Sequence, residues 1–467
     1  MFETIDVRKS WGYRVCTALL AVFACVSLVL PQSAFADVRK ADIVGDSTVD
    51  ELGLTVSQCP NVDAEHAVLM DEDGNVYFQR DAQGDANIAS VTKVMTAIVA
   101  CENADANTVV TVSAAAAAIG ESSAGLQEGD SMDFDTALKA LLVPSGNDAA
   151  VALAETVGAQ MIQKDPSLGS NPVDVFVKAM NDKANELGCT NTVYENPHGL
   201  DYDEYAGNLH SCAADQALVG RCAMSIPKIR SIVGGGSTTI VVSRDGAATQ
   251  IELETTDLLL DMYDRAIGIK TGLTEKAGEC FSGAATDGNL ELYAVVLNSD
   301  SETQRFLDAK NLFEWGYSHI IDYKLANSTE TATMQVDGAE REVPVIAKAV
   351  LSDWTDKTVD ATLSDPDATV RIFNLNGNVS QSVQLDEMSG SVHAGDKVGT
   401  ITFKQHNNVI ATMDLVACED VEAPGLWERL KIGWTRLTAG MTGAQTVADP
   451  AILNTMTIVN DKTSSAA

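Results

Sequence analysis

The feature that most constrains this chain is a change of texture near residue 325. Before it, Ala-rich stretches of helical period alternate with short apolar runs. After it, from about residue 327 to 420, helical periodicity fades and strand patterns take over. Two textures imply two hydrophobic cores, so the chain reads as a mixed helix-and-strand domain followed by a smaller all-β one. In the first, Ala67-Val68-Leu69-Met70 and Val76-Tyr77-Phe78 flank the pair Asp73-Gly74, which is the pattern of a hairpin, and a helix follows. In the second, Val370-Arg371-Ile372-Phe373 and Thr400-Ile401-Thr402-Phe403 are punctuated by Asn376-Gly377 and Asn407-Asn408. Beyond Pro424 the period becomes helical again: Leu426, Trp427, Leu430, Trp434, Leu437 and Met441 form an apolar stripe, with Arg429, Lys431 and Arg436 among them. This basic amphipathic helix, Leu426 to Met441, suits peripheral contact with a membrane interface, and docking onto the β module is the alternative. Residues 442 to 467 hold no spanning segment and are expected as a flexible tail.

The opening segment reads as an export signal. Arg8, Lys9 and Arg14 precede the apolar run Val15 to Leu30, and Ala34-Phe35-Ala36 supplies the small-x-small pattern of a cleavage site. Residues 1–36 are therefore expected to be removed, leaving an exported, extracytoplasmic protein. With 31 basic and 66 acidic residues the formal charge is −35, which disfavours polyanion binding, and 5% aromatic content gives no stacking platform for single strands. Nucleic acid is thus not an expected partner. Of nine cysteines, Cys16 and Cys25 fall in the leader. The dispersed remainder fits neither a small disulfide scaffold nor a CxxC metal site, so most are expected as buried small hydrophobes and no metal is expected. Cys59 and Cys101 are a disulfide candidate if their backbones come within bridging distance.

Three short segments carry chemistry. In Ala89-Ser90-Val91-Thr92-Lys93, the helical spacing of Val94, Met95, Ile98 and Val99 puts Ser90 and Lys93 on one face of a first turn. Serine is a poor nucleophile without a base, and a lysine serves if burial or another cation keeps its amine neutral. Pro144-Ser145-Gly146-Asn147-Asp148 interrupts a helical run, placing a second hydroxyl and a carboxamide on a turn; taken alone, it is a helix-capping segment. Ile267-Gly268-Ile269-Lys270-Thr271-Gly272 reads as a strand carrying a cation, a hydroxyl and a glycine that lets a ligand approach the backbone. Each is weak alone; the ordered set SxxK, SxN, KTG is specific.

With these motifs in place, the chain resembles the serine-type D-alanyl-D-alanine carboxypeptidases of peptidase family S11, the low-molecular-mass penicillin-binding proteins. The resemblance covers roughly residues 60 to 320 and includes AVLMDEDGNVYFQRDA, ALLVPSGNDAAVALAE, FVKAMNDKANELGCTNTVYENPHGLD and GIKTGLTEKAGECFSGAA; HAGDKVGTITF resembles the family's carboxy-terminal domain. It implies an α/β (α+β) β-lactamase/transpeptidase-like catalytic domain over residues 37–326, with an antiparallel sheet and flanking helices. A small all-β C-terminal domain over 327–420 and an amphipathic helix with tail over 421–467 follow.

The resemblance also implies roles. Ser90 attacks the carbonyl between two terminal D-alanines of a peptidoglycan stem peptide, forming an acyl-enzyme that water hydrolyses; β-lactams acylate the same serine. Lys93 is the general base, Ser145 and Lys270 relay a proton to the leaving amine, and Asn147 clamps the substrate backbone. Lys270, Thr271, Gly272 and Leu273 bind the substrate, with the backbone N–H groups of Ser90 and Leu273 as the oxyanion hole. Arg305 stands where the family places an arginine near the substrate carboxylate; a solvated helix residue is its alternative. His198 is expected as a structural hydrogen-bonding residue. No cofactor is implied. Two other functions compete: a β-lactamase, for which no persuasive Glu-x-x-x-Asn element lies between Asn147 and Lys270, and a non-catalytic wall-binding protein, against which the intact motif residues speak.

Overall fold

Strands β1 (His66–Asp71) and β2 (Val76–Arg80) form the hairpin expected around Asp73-Gly74. Its turn is tied by the buried Asp71 carboxylate, which accepts from Asp73 N at 3.0 Å, Asn75 N at 2.9 Å and the Tyr77 hydroxyl at 2.7 Å. The computed structural model describes residues 39–336, 338–442 and 445–459; the expected signal peptide, residues 1–36, lies outside the described residues.

After the hairpin a short 3-10 turn, Ala89–Thr92, runs directly into helix α1 (Lys93–Asn103). Every residue from Lys93 to Ala100 is buried, as expected of a helix with apolar or small residues around its whole circumference. Then come β3 (Val109–Thr111), β4 (Ser131–Asp133) and α2 (Phe134–Leu142), whose N-cap Asp133 accepts from Thr136 N. Helices α3 (Asn147–Lys164), α4 (Pro172–Glu186) and α5 (Ala213–Ser225) follow, then a short helix at Pro227–Val233, β5 (Thr238–Arg244) and β6 (Ala247–Leu253). Strands β3 to β6 make a small antiparallel sheet in chain order.

Three long strands close the first unit: β7 (Ala266–Thr274), β8 (Gly278–Thr286) and β9 (Glu291–Ser299), with α6 (Glu302–His319) behind them in sequence. The main sheet has the order β2-β1-β9-β8-β7, every pair antiparallel, and two strands of two residues each extend it beyond β2. Strand β7, which carries Lys270, Thr271 and Gly272, is therefore an edge strand. One core joins the inner faces of this sheet and of α1, α3 and α5.

The second unit is an antiparallel sheet of β10 (Ala347–Val350), β11 (Thr358–Leu363), β12 (Val379–Leu385), β13 (Lys397–Gln405) and β14 (Asn408–Ala417) around Val359, Ile401, Phe403 and Leu415. The observed architecture is the expected one: a helix-flanked antiparallel sheet and a separate all-β unit.

Helix α7 (Leu426–Thr442) follows. At about 100° per residue, its six large apolar side chains fall within an arc of roughly 100°. They are exposed, with Trp427 at 83% and Trp434 at 69%, while Ile432 and Ala439 on the opposite side are buried. No helix among the described residues is long and apolar enough to cross a membrane.

The flexible tail expected after this helix is corrected over residues 451–459. Strand β15 (Ala451–Ile452) pairs with β10, giving the order β12-β13-β14-β11-β10-β15. The buried Asn454 then locks the chain in place: its Oδ1 accepts from Asn327 N at 2.7 Å and its Nδ2 donates to Leu325 O and Gln381 Oε1, both at 2.9 Å. Polarity hid this from the sequence, because a buried asparagine with every group satisfied looks like a solvated one when only composition is seen.

Candidate active site

Ser90 sits in the 3-10 turn at the head of α1, half-buried, and Lys93 begins the helix one turn later. Lys93 Nζ lies 2.7 Å from Ser90 Oγ and donates to His198 O at 2.8 Å. The lysine is fully buried, and its amine is held well below the usual lysine pKa, first by desolvation and then by the nearby Lys270 cation, with Asp148 opposing. A neutral amine at hydrogen-bond distance from a hydroxyl is what proton removal from serine requires.

The turn is strained and braced. Ala89 has φ of +47°, in the left-handed region. Gly199 packs so closely that a Cβ there would stand 1.9 Å from Ala89 O. The segment bearing His198 thus clamps both the Ser90 turn and Lys93. His198 itself accepts from Leu200 N through Nδ1, meets Tyr205 edge-to-face, and has a pKa pushed down to about 3 by burial and by Lys93. It is a neutral hydrogen-bonding residue, as the sequence suggested.

The second segment approaches from the α2–α3 junction. Ser145 is buried with φ of +65°, and Asn147 is the first residue of α3. Asn147 N donates to Ser122 O at 2.8 Å and Nδ2 to Gly120 O at 3.0 Å, fixing the carboxamide. Among the described residues, Ser145 Oγ and Asn147 Oδ1 have no hydrogen-bond partner. Buried polar atoms of this kind are costly unless a ligand or water completes them. Asp148 anchors the facing loop by accepting from Ser123 Oγ, Ala124 N and Leu126 N at 2.6–3.1 Å.

The third segment is the edge strand. Lys270 is 1% exposed, donates to Thr271 O at 3.0 Å, and has a pKa lowered to about 7 by burial and by Arg305, against the pull of Asp257. Thr271 Oγ1 lies 2.7 Å from Thr256 Oγ1. A Cβ on Gly272 would come within 2.6 Å of Ile88 O and 3.2 Å of Ser90 N, so only glycine lets this edge abut the Ser90 turn. Leu273 projects outward. Arg305, buried on α6, donates to Gly272 O at 3.2 Å and to Glu279 from the same nitrogen, and Glu302 lies 3.7 Å from its other terminus. The alternative of a solvated helix residue is therefore excluded. Much of its fork is already engaged, so it braces the strand as well as charging it.

Ser90, Ser145, Asn147, Thr271, Gly272, Leu273 and Arg305 line one open cleft of about 1370 Å³, with Lys93 and Lys270 buried behind its floor. Three segments distant in sequence thus converge on one hydroxyl. Sequence reasoning missed the His198 carbonyl, the Asp148 brace and Asp257, a buried carboxyl whose pKa is pushed up to about 7 mainly by desolvation. Of these only Asp148 gave a signal, as a capping carboxylate next to the motif.

The comparisons with known proteins agree with this geometry. The sequence model of the D-alanyl-D-alanine carboxypeptidase family (peptidase S11) matches residues 54–301. The chain belongs to this family. The carboxy-terminal domain of penicillin-binding protein 5 matches residues 345–423. D-alanyl-D-alanine carboxypeptidase DacA of Escherichia coli is 30% identical over 405 residues, covering 83% of this chain and 90% of the relative. DacF of Bacillus subtilis is 28% identical over 380 residues, covering 79% and 88%. Among solved structures, a mutant of a Streptomyces DD-transpeptidase matches with a TM-score of 0.51 at 29% identity, covering 56% of this chain and all of that one. D-alanyl-D-alanine carboxypeptidase DacD of Francisella tularensis matches with a TM-score of 0.53 over 78% of this chain at 21% identity, a likeness of fold.

The seven cysteines among the described residues are all free thiols, which corrects the candidate pair Cys59–Cys101. Cys101 lies in the last turn of α1 near Lys228 and Asp135, whereas Cys59 precedes β1 near Asp42 and Arg80. Burial raises the pKa of all seven, consistent with packing roles. Among the described residues no group of three or more His, Cys, Asp or Glu is arranged to hold a metal ion.

Proposed function

We propose that this protein is an exported serine-type D-Ala-D-Ala carboxypeptidase that trims the terminal D-alanine from peptidoglycan stem peptides and is acylated by β-lactams. The observation that carries the reading is the 2.7 Å approach of a fully buried lysine amine to the Ser90 hydroxyl in a cleft shared with Ser145, Asn147 and Thr271.

In this mechanism Ser90 Oγ attacks the carbonyl carbon of the penultimate D-alanine as its proton passes to neutral Lys93 Nζ. His198 O, accepting one N–H of that amine, fixes its direction. The tetrahedral oxyanion is held by the backbone N–H groups of Ser90 and Leu273, a contribution worth roughly 10²–10³ in rate per donor in comparable sites. Ser145, supported by the Lys270 charge, hands its proton to the departing D-alanine nitrogen and is reprotonated by Lys93, which becomes neutral again. Asn147 Oδ1 is open to a substrate N–H. Lys270, Thr271 and the Arg305 charge hold the terminal carboxylate. Water then attacks the ester as Lys93 takes its proton, and Lys93 passes that proton to Ser90 Oγ when the ester C–O bond breaks. The test is D-alanine release from a peptide ending in two D-alanines, with Ser90→Ala as control. Equal release by both proteins would remove Ser90 as nucleophile, and turnover of penicillin without turnover of peptide would favour a β-lactamase.

Export rests on the leader read from the sequence. Peripheral membrane contact through Leu426 to Met441 is supported by the outward apolar stripe of α7. The cations contribute less than the sequence suggested, because Arg436 donates to Ser352 O and Trp354 O, and Arg429 to Pro424 O.

A further inference from the structure

The cleft lining includes Glu252, Glu254 and Glu302, and its buried cations gather toward one end of the edge strand. At one end stand Lys270 and Arg305. Thr274 lies four residues further along β7, about 13 Å away at the rise of a strand. There the Thr274 hydroxyl donates to Asp201 Oδ2 at 2.9 Å. Asp201 is 3% exposed, and its Oδ1 has no hydrogen-bond partner among the described residues. Around it the cleft is lined by Asp203 and Glu275, both exposed, and by exposed Glu121, whose carboxylate hydrogen-bonds Tyr202. The one ammonium in this stretch of lining, Lys276, donates to the Asp201 backbone oxygen. Four carboxylates therefore face one cation.

A peptide that adds to the free edge of β7 runs along it in extended form, with main-chain pairing setting its direction. With its terminal carboxylate at Lys270 and Thr271, the residue before the two D-alanines lies about 7 Å along the strand. A long side chain from that residue spans the remaining distance to the acidic end. We infer that this end of the cleft selects stem peptides whose residue before the D-alanines carries a free side-chain ammonium, over those whose amine is acylated. The inference rests on the carboxypeptidase reading and adds to it the charge class of the substrate. Asp201 is a buried carboxyl with one oxygen left without a hydrogen-bond partner among the described residues, behind an exposed acidic rim; a cation entering the cleft gains from the carboxylates of this end, whereas a neutral amide gains nothing from their charge.

The test compares Nα-acetyl-lysyl-D-alanyl-D-alanine with its Nα,Nε-diacetyl counterpart, reading kcat/KM for D-alanine release by the full chain. The free-amine peptide is expected to be preferred about tenfold at low ionic strength, the preference shrinking as salt is raised. In Asp201→Asn and in the exposed-rim variant Glu275→Gln the ratio is expected to move toward one. If Asp201→Asn does not fold, as judged by acylation with benzylpenicillin, the wild-type ratio and Glu275→Gln decide. Equal turnover of the two peptides, or preference for the acetylated one, overturns the inference while leaving the carboxypeptidase reading standing. A wild-type preference that neither variant changes overturns the assignment to the Asp201 end. Release of D-alanine from neither peptide overturns the carboxypeptidase reading and this inference with it.

Discussion

A lysine becomes a base at neutral pH only where its charged form is made unfavourable, and Lys93 meets that condition twice, through complete burial and through a second buried cation. Its pKa is lowered, so under the proposed mechanism the acylation rate is expected to fall as pH drops through the folded-state value and the amine becomes protonated. The Lys270 charge is part of what depresses it. Replacing Lys270 with Gln is expected to raise the Lys93 pKa and move the acid limb of the residual acylation rate to higher pH, read from benzylpenicillin acylation across a pH series. An unmoved limb would mean that the two amines are not coupled. Gly272 acts sterically. In Gly272→Ala the new methyl meets Ile88 O at 2.6 Å, so the edge strand must move off the nucleophile turn. A cost of about 1–3 kcal/mol in denaturant unfolding is expected, with a parallel loss of acylation. Wild-type values of both would show that the turn yields without cost.

At the scale of elements, each functional side chain is set by an end or an edge rather than by the middle of an element. Ser90 heads a helix, Ser145 occupies the turn between two helices, and Lys270 lies on the outermost strand of its sheet. Helix α7 is divided between its two faces: Ile432 and Ala439 pack inward while the tryptophans face solvent. Trp427→Ala combined with Trp434→Ala is therefore expected to change unfolding free energy by no more than about 0.5 kcal/mol. The same variant is expected to lose sedimentation with phospholipid vesicles. Undiminished sedimentation would reject this helix as the membrane contact.

At the scale of the whole molecule, the chain returns to the β unit after α7, which makes the helix an excursion held at both ends. Asn454 is the fastening, and Asn454→Ala leaves Asn327 N, Leu325 O and Gln381 Oε1 short of a partner. A total loss of about 1–3 kcal/mol, set mainly by the buried Leu325 O, is the scale expected in denaturant unfolding. Benzylpenicillin acylation should persist, because every proposed catalytic side chain lies between residues 90 and 305. Wild-type stability in that variant would count against the fastening role. From residue types and spacing alone came the two textures, the hairpin before the nucleophile, the SxxK pair one helical turn apart, and the apolar stripe of α7. These depend on neighbours within a few positions, where helical and strand periods are written directly into the order of residues. Other features had no local signature: the approach of β7 to Ser90, the His198 carbonyl that aims Lys93, the return of residues 451–459, and the acidic end of the cleft. Each depends on groups tens to hundreds of residues apart, whose meeting is decided by sheet order and by which buried polar atoms find partners, and that is fixed only when the chain has folded.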